Sequence, residues 1–313
     1  MSSLIVKSPG LLTTIQDLGR AGYGALGVSP AGAADPVAMR LANLLVGNEP
    51  GAATLEMTLL GGTFIFPEGA TVAITGANMS PTLNSHPLEM WASNPLPPGA
   101  ELTLGPTQNY ARAYLAVAGA LRVKPFLGSA STHLPSGTGG FEGRALRKGD
   151  VLRFAAPQHK IQKRRVSQSL LTSLKPRKVL RVTDGPQAGQ FSPEAREAFV
   201  HQIFRVTEES DRLGLRLQAP PIPAPHSANM ITEGVSLGAI QITPSGQAII
   251  LGVDQQTTGG YPKIANVIGV DLHRVGQLRP RVDIRFERTS LAVARALWIE
   301  REHLLNNAEH LIL

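Results

Sequence analysis

One phrase recurs along this chain and constrains its fold more than any other feature: a turn bearing Pro or Gly that runs into an alternating strand. Leu96-Pro-Pro98-Gly-Ala-Glu-Leu102-Thr-Leu104 matches Leu278-Arg-Pro280-Arg-Val-Asp-Ile284-Arg-Phe286, and Leu146-Arg-Lys-Gly149-Asp-Val-Leu152-Arg-Phe154 is a third copy. A second phrase pairs the same halves. Gly62-Thr-Phe-Ile-Phe-Pro67-Glu-Gly69-Ala-Thr-Val72-Ala-Ile74 resembles Gly238-Ala-Ile-Gln-Ile-Thr-Pro244-Ser-Gly246-Gln-Ala-Ile249-Ile-Leu251, with one residue inserted. The phrases keep their order, with 31 residues from Pro67 to Pro98 and 36 from Pro244 to Pro280; the surplus falls on the loop TTGGYP. Either the chain holds two related β domains, the second with an enlarged loop, or Gly/Pro turns have recurred by chance. The shared order favours duplication.

Composition agrees with many short strands. The 313 residues include 32 Gly and 24 Pro but only 5% aromatics, which favours strands and turns over long helices. The clearest strands are Leu4 to Lys7, Val72 to Ile74, Tyr114 to Val117 and Val179 to Val182. Helices start at Asp35-Pro36 and Ser192-Pro193, each an N-cap followed by Pro at the first helical position. Ser290 caps a last amphipathic helix with Leu291, Ala294, Leu297, Ile299 and Leu304 as its apolar stripe. The expected division is a first β subdomain over 1–157, a linker over 158–178 and a second over 179–313.

The net charge of +7 suggests nucleic acid until it is located. Residues 155–178 carry seven Lys or Arg and no acid, which leaves 23 basic against 23 acidic residues elsewhere. The segment lacks the interleaved aromatics of a base-stacking surface, so it reads as a basic linker and not a nucleic-acid patch. Cys is absent, which removes disulfides and thiolate chemistry. The start, MSSLIVKSPG, has no signal-peptide apolar core, and no apolar run approaches ~18 residues. A cytoplasmic protein without a membrane span is expected.

The densest chemistry lies in Thr232–Lys263. Ala239 to Thr243 alternates, Pro244-Ser-Gly246 turns the chain, and Ala248 to Leu251 fits a buried strand. Asp254, Gln255, Gln256, Thr257 and Thr258 then follow in a row before Gly259-Gly260 and Tyr261-Pro262. This is either a binding loop on a rigid β scaffold or a wide hairpin loop that only meets water. Arg212 and Arg216 in SDRLGLRL alternate with Leu213, Leu215 and Leu217. On one strand face they would clamp a carboxylate or phosphate, or pair with nearby acids. Gln16-Asp17 with Arg20, and Arg112 with Tyr114, pose the same choice. Gly128-Ser-Ala-Ser-Thr132 and Gly137 to Arg144 are hydroxyl- and Gly-rich loops with donors for an anion.

Other patterns point away from familiar chemistries. Gly234-Val-Ser236-Leu-Gly238 matches G-x-S-x-G, but Pro244 and a β run follow where the nucleophile elbow needs a helix. The eight His show no metal-ligand spacing, so no structural metal is expected. No Walker loop occurs. No Met-Lys dipeptide marks a biotin carrier.

GLLTTIQDLGRAGY, GAADPVAMRLANLLVGN, RAYLAVAG, GSAST with GGFEGR, SDRLGLRL, TEGVSLGAIQ and DQQTTGGYPKI together resemble the allophanate hydrolase subunit 2 family. This is the biotin-dependent carboxyltransferase type that includes one component of bacterial 5-oxoprolinase. The match runs from about residue 4 to 290. The resemblance implies a mainly β fold of two cyclophilin-like β-barrel subdomains in tandem. It also implies a subunit 1-type partner and often a third, lactam-hydrolase subunit. Such a complex uses ATP, on a chain the resemblance does not specify, to open 5-oxo-L-proline to L-glutamate. No covalent biotin is implied on this chain.

Two alternatives accompany that reading. One is a carboxyltransferase component acting on a urea-like amide; the other is a non-catalytic regulatory partner of the subunit 1-type protein. By resemblance the binding residues are Gln16, Asp17, Arg20, Arg112, Tyr114, Arg212, Gln241, Gln256, Thr257, Thr258, Tyr261 and Lys263, with Asp254 as acid or base. The chain departs from the family at Ala120, where a second Gly is usual, at Ala248, where Pro is frequent, and at Ser236-Leu237, where Pro-Pro is common.

Overall fold

The computed structural model describes residues 2–156, 161–175, 177–225, 230–307 and 311–312. The chain is mainly β and forms two compact units. The first is Met1–Arg20, Ala31–Lys175 and Asn307–Leu313; the second is Ala21–Pro30 and Pro176–Asn306.

In the first unit two sheets share one core. Six strands run in the order Val151–Phe154, Ser2–Ser8, Thr63–Phe66, Ala100–Thr103, Thr82–Leu83, His86–Pro87. Five run Leu12–Gln16, Thr54–Thr58, Arg112–Val117, Ala70–Gly76, Ser93–Leu96. Phe64 and Phe66 from one sheet meet Leu55, Ile74 and Leu115 from the other. The Arg112–Val117 strand is buried along its whole length because both faces are covered. Ala113, Leu115 and Val117 face the shared core, while the opposite face meets the helix Pro36–Leu45. That helix starts where the sequence predicts: the Asp35 carboxylate accepts from the N–H groups of Val37 (3.1 Å) and Ala38 (2.9 Å).

In the second unit seven strands close a barrel in the order Val179–Asp184, Lys263–Val267, Ala239–Ile242, Ala248–Leu251, Gly214–Gln218, Phe204–Val206, Asp283–Arg288. Closure is a parallel pairing of the last strand with the first. Phe199, Phe204 and Phe286 fill the core, with Phe199 and Phe286 stacked at 4.7 Å between centroids. Phe199 comes from the helix Pro193–His201, capped by Ser192. Ser29 donates to the carbonyl of Val253 (3.3 Å), which ties the Ala21–Pro30 segment into this unit.

The repeated phrases do recur as strand–turn–strand, and both turns place a Gly at positive φ, Gly69 and Gly246. Their pairing differs. Thr63–Phe66 and Ala70–Gly76 enter different sheets, so the Pro67 turn is a corner; Ala239–Ile242 and Ala248–Leu251 pair with each other as a hairpin.

The basic segment also differs from a plain linker. Ser167 caps the helix Gln168–Leu174, and the Arg164 guanidinium donates to the carbonyl of Leu44 (3.1 Å), a cation at a helix C-terminus. Residues 161–175 thus count with the first unit; residues 157–160 and 176 lie outside the described residues.

The last helix, Leu291–Asn306, turns Arg301 and Leu305 inward and leaves Leu291 and Ile299 exposed, so its inward face is not the stripe the sequence suggests. Among the described residues no helix is long and apolar enough to cross a membrane.

Candidate functional site

The expected site residues fall into separate groups. In the first unit, Asp17 fastens the Gly128–Thr132 loop. Its carboxylate accepts from the hydroxyls of Ser129 (2.6 Å) and Ser131 (2.5 Å) and from the N–H groups of Ala130 (2.6 Å) and Gly19 (2.7 Å). Gln16 donates to Thr14 Oγ1 (3.0 Å) and to the Thr132 carbonyl (3.1 Å). Arg20 donates to the Ser131 carbonyl and stands over the Phe126 ring. The serine hydroxyls that the sequence offers to an anion are directed at Asp17 instead. Arg144, at the end of the neighbouring Gly-rich loop, is held by Asp150 and Glu142.

Arg112 and Tyr114 meet in a second group on the helix-facing side of their strand. Tyr114 lies opposite Glu56 in the ladder and donates its hydroxyl to Glu56 Oε2 (2.7 Å) while accepting from the Asp35 N–H (2.7 Å). Arg112 Nε is 3.5 Å from Glu56 Oε1. Burial first, then the charges of Glu56 and Asp35, push the Tyr114 phenol well above its usual value. Tyr114 is a neutral, fully buried hydroxyl that fixes the start of the helix.

In the barrel unit, Arg212 and Asp254 form a bidentate ion pair, Nε to Oδ2 2.8 Å and Nη2 to Oδ1 3.0 Å, with side chains 6% and 2% exposed. The expected pairing of Arg212 with Arg216 on one strand face does not form. Asp211 Oδ1 accepts from the N–H groups of Leu213 and Gly214, so the regular pleat begins only at Gly214. Arg216 is exposed beside Glu209. Both oxygens of Asp254 are committed to Arg212, which differs from the free acid or base that the sequence suggests. The pair anchors the start of the polar loop.

Past Asp254 the loop is zipped to residues 233–235. Glu233 and Gly234 pair with Gly259 and Thr258, and the Val235 N–H donates to the Thr257 carbonyl (3.1 Å). Thr258 and Tyr261 are exposed. Lys263, by contrast, is 2% exposed, and so is Gln241, its partner across the ladder after a bulge. Lys263 Nζ lies 2.6 Å from Glu233 Oε1 as a close ion pair. The Gln241 amide nitrogen is buried and makes no hydrogen bond.

Gly259 passes directly over this amide. A Cβ there would sit 2.5 Å from Gln241 Nε2 and 3.5 Å from Gln256 Nε2. Gln187 ties the group together: its Nε2 donates to Glu233 Oε1 (2.8 Å) and its Oε1 accepts from the Lys263 N–H (3.1 Å). Lys263, then the Gln187 hydrogen bond, hold the Glu233 carboxyl below its usual value. Sequence reasoning misses Glu233 and Gln187. Glu233 carries a signal, as the lone acid between Asp211 and Asp254. Gln187, after Gly185-Pro186, carries none.

Ser236 donates to Asn266 Oδ1 (3.3 Å), and the strand Ala239–Ile242 follows it, so no nucleophile elbow forms. Two adjacent barrel strands present the buried Gln241 and Lys263 beneath Gly259. Residues 26–288 match the family described as carboxyltransferase domain, subdomain A and B. The chain belongs to the carboxyltransferase domain family. It is 36% identical over 285 residues to the C subunit of 5-oxoprolinase from Escherichia coli, covering 91% of each chain. It is 33% identical to the C subunit of 5-oxoprolinase from Haemophilus influenzae, over 96% of this chain and 95% of that one. The crystal structure of Kluyveromyces lactis urea carboxylase contains the same carboxyltransferase fold, with TM-score 0.91 and 33% identity over 98% of this chain and 29% of that longer one.

Proposed function

We propose that this chain is the C-type subunit of an ATP-dependent 5-oxoprolinase, and that it helps hydrolyse 5-oxo-L-proline to L-glutamate with a subunit 1-type partner and a lactam-hydrolase subunit. The observation that carries the reading is similarity along nearly the whole of two relatives named as the C subunit of 5-oxoprolinase, 91% and 95% of their lengths. Lactam opening breaks the ring C–N bond; water supplies hydroxyl to the carbonyl carbon and a proton to the nitrogen. Negative charge gathers on the carbonyl oxygen, and pre-aimed donors stabilise it best. The polar loop that the Arg212–Asp254 pair holds in place supplies such donors in the side chains of Gln256, Thr257 and Thr258. Asp254 is accordingly assigned to positioning.

ATP, where the complex binds it, supplies the driving force for opening an unstrained ring. The two helix N-termini that begin with Pro carry Asp35 in one case and Ser192 with Glu194 in the other, so each is already met by acidic or hydroxyl oxygen. Neither helix start is assigned a phosphate.

The test is reconstitution with the subunit 1-type and lactam-hydrolase-type partners, followed by glutamate release from 5-oxo-L-proline with and without ATP. ATP-dependent glutamate that requires this chain is the expected result; a complete assembly that releases none refutes the reading. A second reading, carboxyl transfer to a urea-like amide, is favoured by the likeness to the urea carboxylase structure. Carboxyl transfer from carboxybiotin to urea by the same assembly would establish it instead.

A further inference from the structure

We infer that the space between Lys263, Gln241 and Gly259 is a binding site for one carboxylate, and that Glu233 fills it as a tethered stand-in that swings out when the ligand arrives. The choice of a carboxylate among small anions rests on the lactam-acid reading above.

Buried donors outnumber their partners beside Gly259. Lys263 and Gln241 are each 2% exposed; the ammonium meets one oxygen of Glu233 at 2.6 Å, and the Gln241 amide nitrogen makes no hydrogen bond. Buried donors left unsatisfied are rare in native proteins unless they are kept for a ligand. The two face each other across one barrel ladder, and Glu233 and Gly259 face each other in a separate two-stranded sheet. Glu233 reaches Lys263, and Gly259 lies against Gln241, so the four residues close a small cradle. A side chain at 259 would fill it, since a Cβ would come within 2.5 Å of Gln241 Nε2 and 3.0 Å of Val235.

Glu233 is the mobile member. Its side chain is 44% exposed, on a strand of two residues, and Gly234 beside it has open space around the position of a Cβ. It brings one oxygen to both Lys263 and Gln187 and leaves Gln241 unmet. A free carboxylate has two oxygens to give. One takes the place of Glu233 Oε1 on Lys263 and Gln187, and the other reaches Gln241. A tethered competitor lowers apparent affinity by the fraction of time it occupies the site.

The experiment is calorimetric titration of the full chain, alone and with its subunit 1-type partner. The probes are 5-oxo-L-proline, its uncharged carboxamide, acetate and hydrogencarbonate. Glu233→Gln is expected to tighten carboxylate binding by about 10-fold, Lys263→Gln to abolish it, and the carboxamide to stay unbound. Glu233 is on the surface, so its variant is expected to fold; should Lys263→Gln unfold, Gly259→Ala closes the cradle without removing a charge.

Equal or weaker binding to Glu233→Gln overturns the inference, as does a carboxamide bound as well as the acid. Binding of acetate or hydrogencarbonate that Glu233→Gln tightens, with 5-oxo-L-proline excluded, supports the carboxylate site while refuting the lactam-acid reading. Failure of every carboxylate overturns the site and leaves the glutamate assay to decide function.

Discussion

Replacing Asp254 by Asn tests whether the Arg212–Asp254 pair is a clamp. Both side chains are nearly inaccessible, at 6% and 2%, so solvent screening does little to weaken the pair. Removing one partner of a buried ion pair costs about 3–5 kcal/mol, because the remaining charge stays buried. Asn keeps the shape and one neutral acceptor, which returns about 1 kcal/mol. The net loss is about 3 kcal/mol, or a fall in Tm of roughly 6–12 °C for a unit of this size. The assay is thermal unfolding followed by Trp298 fluorescence, in a Trp91→Phe background that leaves one tryptophan of two. Arg212→Leu with Asp254→Leu is expected to recover more than half of the loss, since both charges then leave together. A Tm change below about 2 °C for Asp254→Asn, or additive losses in the double variant, refutes the clamp. Loss of turnover with stability unchanged would return Asp254 to an acid–base role.

Tyr114→Phe removes the hydroxyl between the Asp35 N–H and Glu56, and is expected to cost about 2 kcal/mol in urea unfolding of the first unit. Ala120 sits at φ 58°, where an L side chain is disfavoured, so Ala120→Gly is expected to stabilise by roughly 0.5–1 kcal/mol after Gly's own entropy cost. Burial, then Arg274 and Arg301, depress the His273 pKa to about 3 against the attraction of Asp271. The folded state therefore holds His273 neutral while the unfolded chain protonates near pH 6.5. Its contribution is complete above that pH and is lost on acidification toward 3, at about 1.4 kcal/mol per pH unit. His273→Gln should flatten that limb of a stability–pH profile, and an unchanged slope counts against a buried neutral imidazole.

Local chemistry made much of this fold legible. Asp35-Pro36 and Ser192-Pro193 announced helices because a cap and a Pro act within one turn. The hairpin at Pro244 was readable because β-branched alternation and a Gly turn coincide. The Ala120 departure also has a physical meaning, a strained backbone where Gly would be relaxed. What failed was reach. Alternation carried through Ser210–Leu217 gave Arg212 the wrong neighbour, because Asp211 bends the chain into a turn before the pleat begins. Gln168–Leu174 was absorbed into a linker because its Ser and Thr are weak helix formers. The candidate site was half legible: Gln241, Gln256 and Lys263 stood in the stretch, while Glu233 and Gln187 join them only through sheet pairing and a contact 46 residues away in sequence.

Residues 21–30 leave the ribosome early yet belong with strands synthesised last, and Ser29 must wait 224 residues for Val253. The polypeptide passes between its two units four times, at 20/21, 30/31, 175/176 and 306/307. A gene cut at the obvious midpoint therefore yields a C-terminal fragment stripped of ten residues that its barrel counts as its own. Such a fragment should need the missing strap, supplied by a permuted or fused transcript, before it matures.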